Sequence, residues 1–125
     1  MINLIIDTSG EKIFLKIISK DEEYIIKHDN SRKNFDELVK LFFSFLNEKQ
    51  IDLSKIDNIF VNQGPGKYSS IRSAISLVKA VKFSVNIDVY GYYSSQITNN
   101  NHKILLKLLK EGRLTKRIIQ PKYLN

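Results

Sequence analysis

The sequence predicts an α/β fold with the element order βββαβαβ and one further helix near the C-terminus. Two observations predict it: short runs rich in Ile, Val and Phe that end in turn residues, and two longer segments with apolar residues at helical spacing. With 125 residues and 42% hydrophobic content, the chain has enough apolar material for one domain with a real core.

The first three strands are predicted at residues 2–6, 13–18 and 24–27, and they form a meander. A turn, Asp-Thr-Ser-Gly at 7–10, follows the first strand, and an acidic turn at 20–23 follows the second. The spacing of Asn34 and Glu37 resembles a capping box, which predicts a helix from residue 34 to about residue 49.

A strand at 56–62, a helix at 70–83 and a short strand at 87–90 complete the βββαβαβ order. Residues 93–101 are polar and rich in turn formers, so they are predicted to form a linker. The last helix is expected at 102–111, and Gly112 is its predicted C-terminal stop.

A Gly-Pro-Gly turn joins the predicted strand at 56–62 to the following helix. Gly64 and Gly66 have no Cβ and let the chain reverse tightly, while Pro65 fixes one φ angle between them. Either Ser69 or Ser70 is then placed to cap the helix.

The same turn does not match a Walker phosphate loop. The first glycine of that motif would fall on Val61, and Lys67 is followed by Tyr68 instead of Ser or Thr. Two interpretations stay open: an ordinary connection between a strand and a helix, and a weaker anion site at the helix N-terminus.

Composition excludes several classes of function. The chain has no cysteine, so it can form neither disulfides nor thiolate metal sites. It has no run of about 18 apolar residues and no basic region before Asp7, so neither a membrane span nor a signal peptide is predicted. A cytoplasmic location is therefore expected.

Few residues are candidates for chemistry. His28 and His102 are the two histidines, and both are expected on the surface or at a cap instead of at a metal. Asp7 is the best single candidate for an acid/base or Mg²⁺ role, but an Asx turn with Ser9 or Gly10 is favoured. Because no histidine is placed to activate a serine, the sequence argues against an enzyme acting alone.

The two central helices have wider apolar faces than one sheet contact requires. At about 100° per residue, the apolar residues cover roughly 200° of the first helix and roughly 160° of the second, whereas a stripe somewhat wider than about 100° suffices. Two interpretations remain: a partner protein covers the surplus, or the C-terminal helix does.

The net charge of +7 is concentrated at the C-terminus. From Asn101 onward there are seven basic residues and one acidic residue, which gives this segment a charge of +6. Such a segment can contact RNA or an acidic partner, although it can also be a solvated helix face. The possible RNA contacts are Lys103, Lys107, Lys110, Arg113, Lys116 and Arg117.

Three motifs resemble those of the TsaB (YeaZ) family. They are Ile-Ile-Asp-Thr-Ser at 5–9, Gly-Pro-Gly-Lys-Tyr-Ser-Ser-Ile-Arg at 64–72 and Gln-Pro-Lys-Tyr-Leu-Asn at 120–125. They occur in the family's order, and the first two enclose the matching βββαβαβ pattern. The signature loop corresponds here to Gly64, Pro65, Gly66, Lys67, Tyr68 and Ser69.

The resemblance implies an actin/hexokinase-like (ASKHA, ribonuclease H-like) lobe. It also implies a non-catalytic subunit that binds the catalytic subunit TsaD, together with the ATPase TsaE, in threonylcarbamoyladenosine (t6A) modification of tRNA. ATP and metal would be held by TsaD, so no cofactor is expected on this chain. The older M22 glycoprotease label belongs to the same resemblance.

The resemblance further implies that the two central helices bind TsaD or a second copy of the chain. The corresponding interface residues are Phe35, Leu38, Val39, Phe42, Phe43, Leu46, Ile71, Arg72, Ala74, Ile75, Val78 and Val81. Exposed apolar helix faces tend to associate and bury each other, so a homodimer is expected when TsaD is absent.

The chain also departs from the family pattern. Family members have two lobes, whereas here residues 1–92 form the N-terminal lobe, residues 93–101 a polar linker where the second lobe would be, and residues 102–125 a helix and basic tail packed on the same lobe. A single lobe cannot close a nucleotide cleft, so independent ATP binding is not expected. Lys67, Ser70 and Asn125 replace the family's Ser, Gly and Arg.

The C-terminal motif favours a full-length chain. Two rival functions stay open beside the TsaB-like role: a small basic tRNA- or RNA-binding module, and an M22-like peptidase or nucleotide hydrolase.

Overall fold

A five-stranded mixed sheet forms the centre of the molecule. The computed structural model describes residues 1–114 and 116. Its strands are β1 (Asn3–Asp7), β2 (Lys12–Ile18), β3 (Glu23–Asp29), β4 (Asn58–Asn62) and β5 (Asp88–Tyr92). Across the sheet their order is β3-β2-β1-β4-β5. The first three pair antiparallel, which confirms the predicted meander, and β4 pairs in parallel with both β1 and β5.

Helices accompany the sheet, and those that lie between parallel strands form the crossovers that parallel pairing requires. They are α1 (Arg32–Asp36), α2 (Leu38–Glu48), α3 (Tyr68–Ser84) and α4 (Ile104–Lys110), with short 3-10 turns at Leu53–Lys55 and Ser94–Gln96. The predicted order βββαβαβ plus a C-terminal helix is confirmed, except that the first helix is divided in two at Glu37.

The first face of the sheet, which α1 to α3 cover, holds the main core. Alternate side chains of each strand point to this face, such as Leu4 and Ile6 of β1 and Leu15 of β2. The buried apolar residues of α3 and the buried face of α2 pack on them. This burial holds α2 and α3 against the sheet. Helix α1, in contrast, has no buried residue.

The second face of the sheet is covered by α4. Leu105 and Leu108 pack in one cluster with Ile5, Phe60 and Tyr92, which point away from the main core. The interpretation that α4 covers the surplus apolar surface of α2 and α3 is therefore wrong. The side chains of β1, β4 and β5 alternate, so the sheet has a second apolar face, and α4 buries that face.

The predicted capping box at Asn34 and Glu37 is also wrong. Ser31 is the N-cap, and its side chain accepts a hydrogen bond from the Asn34 backbone N–H at 3.3 Å. The Asn34 side chain instead donates to the backbone oxygen of Asp29 at 2.8 Å. Ser31, three residues before the predicted start, satisfies the helix end, and Asn34 lies inside the first turn.

Helix α3 begins at Tyr68, two residues before the predicted start, so neither Ser69 nor Ser70 caps it. The N-cap position is Lys67, which makes no side-chain capping bond. Gly112 follows α4 with a φ of 69° and is confirmed as its stop. The remaining predicted boundaries agree with the structure to within two residues.

Three predictions fall wholly or partly on residues outside the described part of the chain, namely Arg117, the closing motif at 120–125 and the packing of the basic tail on the lobe. Within the residues that the structure describes, no helix is both long enough and apolar enough to cross a membrane.

Candidate functional site

Polar side chains gather on the second face of the sheet, where β1 ends. Because side chains alternate along a strand, Asp7, Lys16, Asn62 and Tyr92 all point to the face that α4 covers. All four are buried, and Asp7 is only 3% exposed. His102, two residues before α4, is 2% exposed and completes the cluster.

Asp7 is the centre of this cluster. Its Oδ2 accepts hydrogen bonds from the Tyr92 hydroxyl at 3.1 Å and from His102 Nε2 at 3.0 Å. Its Oδ1 accepts from the backbone N–H of Ser9 at 3.0 Å and from the Ser9 hydroxyl at 2.7 Å. Burial would raise the pKa of Asp7, but the hydrogen bonds from His102 and Ser9 outweigh it and lower the pKa to about 2. The carboxylate is therefore ionised and fully engaged by donors.

His102 links Asp7 to Lys16. Its Nδ1 lies 2.6 Å from Lys16 Nζ, which also donates to the backbone oxygen of Asn100 at 3.1 Å. An ammonium group can only donate, so a charged Lys16 makes Nδ1 an acceptor and leaves the His102 proton on Nε2, facing Asp7. Burial lowers the pKa of Lys16, while the charges of Glu23 and Asp7 act in the opposite direction. Lys16, His102 and Asp7 thus form a line in which the imidazole bridges the amine and the carboxylate.

The structure confirms the Asx turn at Asp7 and corrects the expectation for His102. The turn is closed by the bonds from Ser9. His102 is not on the surface, because Asp7 and Lys16 satisfy both of its ring nitrogens inside the protein. Sequence reasoning missed Lys16, Asn62 and Tyr92. Lys16 interrupts an otherwise apolar strand, and that is the available signal, since a buried lysine needs a partner.

The pair of Asp7 and His102 does not extend to a serine nucleophile. Both nitrogens of His102 are occupied, and the Ser9 hydroxyl donates to Asp7 instead of to the ring. A triad requires the hydroxyl on the other side of the imidazole. Among the described residues no group of three or more His, Cys, Asp or Glu side chains is arranged to hold a metal ion.

The Gly-Pro-Gly turn packs against the end of β1. The Gly64 N–H donates to Asn62 Oδ1 at 2.7 Å, and the Gly64 oxygen accepts from the Ser94 N–H at 2.9 Å. A Cβ on Gly66 would lie 3.0 Å from the Cα of Ser9. Gly64 has a φ of 107°, which a residue with a side chain rarely adopts. The chain itself therefore fills the inner side of this turn.

The start of α3 is fastened to the same place. Thr8 Oγ1 donates to the Ser70 backbone oxygen at 2.9 Å, and Ser70 Oγ donates to the Thr8 backbone oxygen at 3.1 Å. Both residues are fully buried. The two motifs that the sequence singled out thus meet in space, and together they fix where α3 leaves the sheet.

A groove runs between α1–α2 and α3 on the outer surface of the first face. It encloses about 630 Å³, and its lining includes Phe35, Val39, Tyr68, Arg72 and Ala80. Four large apolar or aromatic side chains on these helices are exposed: Val39 is 54% exposed, Phe43 41%, Tyr68 50% and Phe83 95%. We use the name helical face for the outer surface of these helices, with Phe35, Val39, Tyr68 and Arg72 in the groove and the exposed Phe43 and Phe83 farther along α2 and α3.

Burial corrects the predicted partner interface. Eight of its twelve residues lie in the core of this chain: Leu38, Phe42, Leu46, Ile71, Ala74, Ile75, Val78 and Val81. The sheet and the neighbouring helix already cover these side chains, so they cannot form a surface. The interface stays a prediction for the remaining four, which are Phe35, Val39, Phe43 and Arg72.

Residues 24–111 match the family model described as TsaD: tRNA N6-adenosine threonylcarbamoyltransferase. The chain belongs to this family, as a TsaB (YeaZ)-type member. The tRNA threonylcarbamoyladenosine biosynthesis protein TsaB of Buchnera aphidicola subsp. Baizongia pistaciae is 24% identical over 106 residues, which span 81% of this chain and 48% of that protein. The TsaB of B. aphidicola subsp. Schizaphis graminum is 23% identical over 88 residues, which span 70% of this chain and 42% of that protein.

The solved structure of YeaZ from Pseudomonas aeruginosa superimposes with a TM-score of 0.69 and 22% identity, covering 89% of this chain and 49% of that chain. This match shows the fold, and the lobe is actin/hexokinase-like as the motifs implied. The chain spans about half the length of the TsaB relatives that it matches.

Some of the basic residues predicted to contact RNA in this TsaB-type lobe already form ion pairs within the chain. Three of those predicted to contact RNA form ion pairs: Lys103 with Glu23 at 3.2 Å, Lys116 with Asp88 at 3.2 Å and Arg113 with Glu111 at 3.6 Å. Lys107 and Lys110 are exposed on α4 and form no ion pair with a described residue.

Proposed function

We propose that this chain is a non-catalytic TsaB-like subunit that binds and supports a TsaD-like catalytic subunit in t6A modification of tRNA. The names of the relatives support the pathway, since both are tRNA threonylcarbamoyladenosine biosynthesis proteins. The helical face is the observation on which the binding role depends. A TsaE-like ATPase completes the proposed complex.

The non-catalytic role is supported by the chemistry around Asp7. A general base needs a free lone pair within reach of a substrate proton. Asp7 instead receives four hydrogen bonds from Tyr92, His102 and Ser9, and it is almost completely buried. A peptidase or nucleotide hydrolase at this position finds no support, and ATP and metal are assigned to the partner.

The helical face has the composition of a binding surface. Protein interfaces concentrate their binding energy in a few aromatic and arginine side chains around an apolar centre. Here Val39 and Phe43 on α2 and Phe83 on α3 are exposed, and Arg72 lies beside the Tyr68 ring with its guanidinium 5.8 Å from the ring centre. A protein that is complementary to the helical face would present an apolar helical surface with an acidic group opposite Arg72.

The double variant Val39→Asp/Phe43→Asp tests the proposal. We expect co-purification with a TsaD-like subunit to be lost, with affinity weakened by about 100-fold or more, because hot-spot residues are each worth about 2 kcal/mol or more. Both side chains are exposed, so the fold is retained. By contrast, Val78 and Phe42 are fully buried, and aspartate there would disrupt the core instead.

Ile25→Asp is the matched control, because Ile25 is 45% exposed but lies on β3, away from the helical face. This variant should bind as the unchanged chain does. Light scattering on the free chain gives a second measure, since a homodimer through the helical face would be lost in the same double variant. Unchanged binding by that variant would overturn the proposed interface.

A contact with tRNA phosphates is the second candidate function. Lys103, Lys107 and Lys110 project from one side of α4, opposite the buried Leu105 and Leu108. The ion pair of Lys103 with Glu23 reduces its availability, so Lys107 and Lys110 are the residues on which this candidate depends.

A further inference from the structure

Residues 93–110, which we call the strap, leave β5 and return across the second face of the sheet. Near its start, Ser94 Oγ accepts a hydrogen bond from Asn62 Nδ2 at 3.0 Å. Its end is α4, whose Leu105 and Leu108 are buried against the sheet. His102 lies between these two attachments.

His102 fills a closed recess beneath the strap. The rings of Phe14 and Tyr92 lie beside it, each with its centre 6.2 Å from the centre of the imidazole. Asp7 and Lys16 bond the two ring nitrogens. The other charged groups near Lys16 are Glu23 and Lys27 on β3, so charges of both signs surround the recess.

The recess is joined to the start of α3 through one short turn. Asp7 receives the His102 hydrogen bond, and the next residue, Thr8, exchanges two hydrogen bonds with Ser70 in the first turn of α3. Ser9 bonds both to Asp7 and to Asn62, which itself holds Ser94 of the strap. The hydrogen bonds of a side chain on the strap and those of the first turn of α3 on the opposite face therefore meet at adjacent residues, Asp7 and Thr8.

We infer that His102 is a latch: it holds the strap closed, and the closed strap fixes the first turn of α3. Without the imidazole, Asp7 loses one of its donors and Lys16 loses one of its two acceptors, so the link between these two buried groups is broken. Water then enters the recess, the turn at residues 7–9 loosens, and the bonds between Thr8 and Ser70 weaken. The latch acts within the free chain and goes beyond the partner-binding role.

Amide hydrogen exchange on the full chain tests the latch. In His102→Ala we expect faster exchange, by about tenfold or more, both in α4 and at residues 71–74, because loss of a hydrogen bond to a buried charge opens its surroundings. Residue 71 is the first choice of probe, since the Ile71 N–H bonds to the Lys67 oxygen at 3.0 Å. Added imidazole should fill the recess and slow the exchange in this variant, but not in the unchanged chain.

His28→Ala is the matched control, because His28 Nε2 has no hydrogen-bond partner among the described residues. This variant should leave amide exchange in α4 and at residues 71–74 unchanged. Faster exchange in α4 alone would overturn the coupling to α3, and no change at either place would overturn the latch. Failure of imidazole to slow the exchange would overturn the role of the two ring contacts.

Ser70→Ala provides a second route should His102→Ala not fold. It removes one of the two bonds to Thr8 and leaves the contacts of His102 in place. We expect faster exchange at residues 71–74 with α4 unchanged. Unchanged exchange at residues 71–74 would show that the turn after β1 does not fix α3, and the inference would fail.

Discussion

At the scale of single residues, Asp7 links pH to the stability of the fold. Its pKa is lowered from 3.8 to about 2, since its hydrogen bonds outweigh the effect of burial. A carboxylate with a lowered pKa stabilises the folded state at any pH above its unfolded pKa. That contribution is lost as the pH falls from about 4 through about 2, where the folded group takes up its proton.

We therefore predict that Asp7→Asn flattens the acid side of the stability profile. The shift corresponds to about 2 kcal/mol of unfolding free energy at neutral pH. Urea unfolding at several pH values between 2 and 7 measures it, as the difference between the unchanged chain and the variant. Exposed acids such as Asp29 and Asp52 remain in both proteins and cancel in that difference. Parallel profiles for the two proteins would contradict the prediction.

At the scale of elements, the Gly-Pro-Gly turn acts through its backbone. It allows the chain to reverse tightly after β4, beside the end of β1, so that α3 starts against Thr8 and Ser9. The sequence left open whether this turn binds an anion or only joins two elements. Its inner side is filled by the protein, which favours the joining role.

Gly66→Ala should destabilise the fold by about 1–3 kcal/mol, because overpacking a tight site costs this much. The new Cβ would lie 2.9 Å from Ile71 Cδ1 and 3.0 Å from the Cα of Ser9, and the backbone of Ser9 cannot move aside easily. Gly10→Ala is the control, since a Cβ at Gly10 would meet nothing within 4 Å. Thermal or urea unfolding compares the two. Equal stabilities would show that the turn is not closely packed.

At the scale of the whole molecule, the two faces of the sheet have different roles. The first face supports α2 and α3, whose outer side carries the helical face that we propose binds a partner. The second face is closed by the strap, which adds the basic side chains of α4 to the opposite surface. The lobe covers about half of its relatives, yet both faces of its sheet are packed within one chain.

Lys107→Ala/Lys110→Ala tests the second candidate function on this surface. If α4 contacts phosphates, tRNA affinity should fall, and the slope of log affinity against log salt should decrease by about 2, one for each contact removed. Lys79→Ala/Lys82→Ala is the control, because it removes the same charge from exposed positions on α3. Salt-independent binding, or equal losses in both variants, would exclude the contact.

The order of elements and the Asx turn at Asp7 were predictable from the sequence. Local signals determine them: apolar runs, helical spacing and turn residues act over a few positions. The same signals placed the stop at Gly112, where only a residue without a side chain adopts the positive φ easily.

The tertiary structure alone decided which apolar side chains form the core and which polar side chains contact one another. The wide apolar faces of α2 and α3 proved to be mostly core, because sheet and neighbouring helix cover them from two sides. Likewise His102 lies far from Lys16 and Asp7 in the sequence and meets them only when α4 folds onto the second face. Sequence patterns report which residues prefer burial, whereas only the packing of distant elements determines what each one contacts.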